Sequence, residues 1–78
     1  MEDDDLKKMF KGAYDSPIVQ RSHIKKLTGG LLDGKTVANY DSLGTGPPKR
    51  FRMGNKIFYP VDEFLDWFIK RSKIERIV

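Results

Sequence analysis

The pair Gly54-Asn55 sits between Lys49-Arg50-Phe51-Arg52-Met53 and Lys56-Ile57-Phe58-Tyr59. A Gly/Asn pair between two alternating runs is a strong local signal for a β-hairpin. It fixes an antiparallel strand pair in a chain of 78 residues, enough for one small domain. The register is open. A two-residue loop would pair Phe51 with Phe58, whereas a three-residue loop would pair Phe51 with Tyr59 and Met53 with Ile57. The sequence favours the second. It gathers Phe51, Met53, Ile57 and Tyr59 on one face and leaves Arg50, Arg52, Lys56 and Phe58 on the other.

Two short helices are expected before the hairpin. Ser16 to Gln20 reads as an extended entry, since Pro17 biases its predecessor away from helix. Ser22 is a candidate N-cap for a helix over about His23 to Thr28, with Ile24 and Leu27 on one face. Gly29-Gly30 stops it, and Leu31 and Leu32 are expected to fill the space between helices. Asp33 is the next N-cap candidate, for a helix over about 34–42 in which Val37, Tyr40 and then Leu43 form the buried stripe. Lys35, Thr36 and Asn39 then lie outward near its start. Gly44-Thr45-Gly46-Pro47-Pro48 makes a sharp exit into the hairpin. After it, Pro60 suits the first turn of a last helix over Val61 to Ser72, with Val61, Phe64, Leu65 and Phe68 facing the core. Trp67 lies beside that stripe and either packs sideways or meets a second protein.

The termini carry weaker signals. Residues 1–15 read as an acidic tail, flexible or at most a marginal helix through Leu6, Met9 and Phe10; residues 16–73 form the domain, and 74–78 a frayed end. The acidic start is the wrong charge for a signal peptide, and no apolar run reaches membrane-spanning length, so a cytoplasmic location is expected.

Charge distribution points to a partner. Residues 21–60 carry eight basic side chains against two acidic ones, although the whole chain is only +4. A basic surface of this kind attracts phosphate. Two short helices joined through glycines give the helix–turn–helix outline, and the fold expected is α+β, a small winged helix–turn–helix with a hairpin wing and a C-terminal helix. In that arrangement Lys35, Thr36 and Asn39 face base edges: Lys for guanine or phosphate, Thr for a thymine methyl, Asn for adenine. Basic hairpin residues would lie along phosphates or reach the minor groove.

The same order of elements resembles the phage excisionase and AlpA-type regulator family, itself similar to the DNA-binding half of the MerR fold. The residues that carry the resemblance are Gly44, Gly46-Pro47-Pro48, Phe51-Arg52-Met53-Gly54, Tyr59, and Asp62 with Trp67, and it covers about residues 18–72. The resemblance implies a non-enzymatic protein that binds double-stranded DNA through Lys35, Thr36, Asn39 and Tyr40 in the major groove and Arg50, Arg52, Asn55 and Lys56 on the wing, with Lys25 nearby. It implies a site-specific recombinase (integrase) or RNA polymerase as protein partner, and a small site suggests cooperative self-association on DNA. One departure stands out: the second helix has Val37-Ala38-Asn39-Tyr40 where family members often carry Arg, which leaves base readout thin.

Other classes find less support. With a single His, no Cys and a GTGPP turn lacking the Lys-Ser/Thr ending of a phosphate loop, no catalytic set, cofactor site or metal site is legible. A winged-helix protein-interaction module that does not bind DNA specifically is the competing reading, because fold alone does not fix function.

Overall fold

The computed structural model describes residues 2–77. Helix α1 (Glu2–Ala13) is followed by strand β1 (Ile18–Gln20), a 3₁₀ turn (Arg21–His23), the single-turn helix α2 (Ile24–Leu27), helix α3 (Gly34–Ser42), strands β2 (Phe51–Met53) and β3 (Lys56–Pro60), and helix α4 (Val61–Ser72). The chain is thus α+β, with four α-helices and one antiparallel sheet of order β1-β3-β2 among the described residues. Met1 and Val78, the outer ends of the expected tail and frayed terminus, lie outside the described residues. Among those described, no helix is long and apolar enough to cross a membrane.

The core forms where the inward face of the sheet meets α2, α3 and α4. Val19 from β1 and Tyr59 from β3 are paired and fully buried. Ile24, Leu27 and Val37 close over them from the short helices, and Val61, Phe64, Leu65, Phe68 and Ile69 from α4. α4 spans the residues its stripe predicts, with Pro60 as its N-cap and Asp62 and Glu63 in its positive first turn. α3 likewise starts on its expected cap: the Asp33 carboxylate accepts the Thr36 N–H at 2.9 Å.

Several expectations change. Of the two alternatives for the N-terminal segment, residues 2–13 take the helix, and it is docked on α4 rather than marginal on its own. An isolated helix of this length is marginal in water, but α4 supplies the partner surface the sequence does not advertise. Leu6 and Phe10 pack on the core, and the Phe10 ring meets Phe68 edge-on at 5.5 Å. Lys7 pairs with Asp66 at 3.0 Å and Lys11 with Asp62 at 2.6 Å. At the other end, Ile74 also packs against the core.

Ser22 is not a cap. The chain enters α2 through a 3₁₀ turn with no side-chain cap, and Ser22 lies inside that turn. The loop after α2 is instead fastened by buried Thr28, whose hydroxyl bonds the Ile24 carbonyl at 2.9 Å and accepts the Leu32 N–H at 3.1 Å. Only Leu32 of the leucine pair packs inward; Leu31 is exposed. Leu43 is 75% exposed rather than buried. Val37 and Asp41, four apart, occupy the inward line of α3, and Leu43 two residues on points away.

The hairpin takes the two-residue loop, pairing Phe51 with Phe58, Arg52 with Ile57 and Met53 with Lys56. Gly54 at φ +64° stands in the first central position while Asn55 keeps a negative φ, the pattern of a type II′ turn. Directly opposed residues share a face, so Phe51, Met53, Lys56 and Phe58 lie outward while Arg52 joins Ile57 and Tyr59 on the inner side. The sequence weighed side-chain segregation; turn geometry outweighs it. The outward rings recover part of the cost by stacking on each other, with Phe51 and Phe58 centroids 5.5 Å apart.

Candidate nucleic-acid interface

α3 is aimed by one buried charged residue. The Asp41 side chain, 5% exposed, receives the Arg21 guanidinium at 2.6 Å. The Tyr59 hydroxyl donates to the same carboxylate oxygen at 2.6 Å, and Arg21 Nε donates to the Tyr59 hydroxyl oxygen at 3.0 Å. Three elements are thereby tied together: the 3₁₀ turn, α3 and β3. Burial and the bond to Asp41 push the Tyr59 hydroxyl up to about 12. Bonding to Tyr59 and Asp41 raises Arg21 further above its already high value, against the opposing effect of burial. A Cβ at position 46 would collide with the Asp41 carboxylate, so the turn after α3 needs glycine there.

With α3 so placed, a cleft of about 680 Å³ opens between its N-terminal half and the hairpin tip. Lys25, Gly34, Lys35, Ala38, Asn55 and Lys56 are among the residues that line it. Beside it, a second cleft of about 350 Å³ is lined by Ala38 and Ser42 from α3 and by Arg50 and Arg52 from the hairpin. Arg50 is partly drawn inward, 3.6 Å from the Asp41 carboxylate. Lys25, Lys35, Arg52 and Lys56 form no ion pair among the described residues, whereas Asp62 and Asp66 are neutralised on α1. Asp33 is the acid that lines the first cleft. The Thr36 amide lowers its carboxyl below the usual range, so it stays ionised as the cap of α3.

The expected site residues therefore separate into two groups. Lys35 and Asn39 are exposed on the outward ridge of α3, and Lys25, Arg52, Asn55 and Lys56 surround the clefts beside it. Thr36 and Tyr40 do not share that ridge. Tyr40 is half-buried against α4, edge-on to Trp67 at 5.5 Å and beneath the Arg71 guanidinium at 4.3 Å. Trp67 packs sideways, as one expectation has it, with its indole N–H donating to the Thr45 carbonyl at 3.0 Å. Ala38 and Ser42 were not singled out beforehand; their spacing of three and seven from Lys35 is the signal that would have found them. Nothing in the sequence marks Arg21 as the partner of Asp41. No family model, curated protein or solved structure matches the chain.

Proposed function

We propose that this is a non-enzymatic DNA-binding domain of the small winged helix–turn–helix type. α3 enters the major groove, and the β2–β3 hairpin acts as the wing against the phosphate backbone. The observation that carries this reading is the cleft between α3 and the hairpin, bordered by Lys25, Lys35 and Lys56, which form no ion pair among the described residues, while the α4 acids Asp62, Glu63 and Asp66 are paired. Such a notch suits a phosphate strand running between a reading helix and a wing. The resemblance to excisionases and AlpA-type regulators supports reading the activity as one at a recombination site or a promoter in the cytoplasm, with a site-specific recombinase or RNA polymerase as the proposed partner. With base contacts limited to Lys35 and Asn39 and their neighbours, specificity comes in part from cooperative binding or from that partner.

The test is capture of duplex fragments at two salt concentrations, repeated with Lys35→Ala and Lys56→Ala. Each lost phosphate contact should reduce the slope of log affinity against log salt by about one. Unchanged slopes in both variants would overturn the docking.

A second reading rests on the outward sheet face. Phe51 is 49% and Met53 69% exposed beside half-buried Phe58, and apolar side chains grouped on one face favour a protein partner. If no duplex is retained at about 50 mM salt, where phosphate-driven binding is strong, the interaction-module reading replaces the first.

A further inference from the structure

The reading ridge of α3 has two flanks. Successive helical residues lie about 100° apart. With Lys35 at zero, Asn39 falls at about 40°, Ala38 and Ser42 at about −60° and −20°, and Thr36 and Tyr40 at about 100° and 140°. The contacts agree with this projection. Ala38 and Ser42 line the clefts toward the hairpin, while Tyr40 meets Trp67 and Arg71 of α4. Hairpin and α4 therefore stand on opposite sides of Lys35 and Asn39.

The α4 flank is cationic and ordered. The acids of α4 are all engaged in its first half: Asp62 and Asp66 by Lys7 and Lys11, and Glu63 by Lys49 at 3.5 Å. Lys70, Arg71 and Lys73 at its C-terminal end form no ion pair among the described residues. They line, with Trp67 and the Thr45-Gly46 turn, a shallow cleft of about 500 Å³. Arg71 is held over the Tyr40 ring, and that ring is steadied by a tryptophan whose own N–H is fixed. A guanidinium on a rigid aromatic platform with no carboxylate to satisfy it is organised for a phosphate.

We propose that the C-terminal end of α4, through Lys70 and Arg71 beside Tyr40, is a second phosphate-contacting site, so that the domain grips both backbones bordering one major groove. The inference rests on the DNA-binding reading and extends it. A groove about 12 Å wide admits a helix of 10–12 Å diameter, so elements on both flanks of that helix meet the two bordering strands. Tyr40 serves here as the platform for Arg71, not as a base reader.

The test is phosphate-ethylation interference on a bound duplex, with Lys70→Gln and Arg71→Gln beside the unaltered chain and circular-dichroism melts to verify folding. The unaltered chain should show two tracts of sensitive phosphates, one on each strand across the major groove. Each substitution should erase sensitivity in one tract only, reduce the salt slope by about one, and weaken binding about eightfold at roughly 0.1 M salt. Lys70→Gln gives an independent answer if Arg71→Gln disturbs the packing of Tyr40. Binding with a single tract, or with slope and tracts unaltered by both substitutions, overturns the second site and leaves the α3–hairpin reading standing. Absence of any duplex binding overturns both.

Discussion

At the scale of single residues, Asp41 stands where a hydrophobic side chain would be expected, on the inward line of α3 beside Val37. Removing one partner of a fully buried ion pair costs about 3–5 kcal/mol, and the charge left behind here, Arg21, is 29% exposed and partly rehydrated. Asp41→Ala should therefore lower stability by about 2 kcal/mol in urea unfolding, far more than Ser42→Ala one position on. Tyr59 gives the same network a pH signature. Its folded value is raised to about 12, above the ordinary value of 10.0. Its contribution is fully present below pH 10 and lost as pH climbs through the folded value. A shift of this size corresponds to at most about 3 kcal/mol. Melting temperatures followed from pH 9 upward should fall more steeply in the unaltered chain than in Tyr59→Phe, which lacks the titrating hydroxyl.

At the scale of elements, legibility followed how local each cause was. The bounds of α3 and α4 were readable because Asp33 and Pro60 act within one turn, and so was the apolar stripe of α4; the stripe of α3 was not, since Asp41 rather than Leu43 turns inward. The hairpin was readable as a hairpin, but its register was not, because a choice between turn types competed with the segregation of side chains. α1 was legible only as a marginal helix because its stability lies in α4, through Phe10 on Phe68 and the pairing of Lys7 and Lys11 with Asp62 and Asp66. Phe10→Ala should cost about 2 kcal/mol, reduced from the full core value because the ring is only half-buried. Hydrogen exchange should then show α1 amides opening while those of β3 remain protected. The Lys11 bond lowers the Asp62 carboxyl below its usual range, so this docking is strongest above that range and weakens as pH falls through the lowered value. The end of α4 shows a separate local cost: Lys73 adopts φ 50°, ψ 50°. Lys73→Gly should raise stability by about 1 kcal/mol by relieving a left-handed conformation at a side chain with a Cβ.

At the scale of the whole molecule, charge is sorted by the fold. Asp62 and Asp66 are paired where α1 meets α4 and Asp41 is buried beneath Arg21, while Lys25, Lys35, Arg52 and Lys56 are left around α3 with Asp33 as the acid beside them. The overall balance of +4 conceals this, and the regional count of the sequence reveals only part of it. Of the candidate interface, Lys25, Lys35, Asn39, Arg52, Asn55 and Lys56 were legible because they lie in that basic region. For Tyr40 the spacing from Val37 points inward while the resemblance implies a place in the groove, and its half-buried packing on Trp67 and Arg71 of α4 agrees with the spacing.

The tie between Arg21, Asp41 and Tyr59 also bears on how portable the interface is. Its partners lie 20 residues before and 18 residues after the helix residue they hold. A peptide covering α3 alone would contain Lys35 and Asn39 and nothing that orients them, and nine residues are too few to stay helical in water. Transplanting α3 into another scaffold would carry the lettering without the hand that turns it to the page. Any graft that omits Arg21 or Tyr59 breaks that tie and should lose affinity even when every outward side chain is retained.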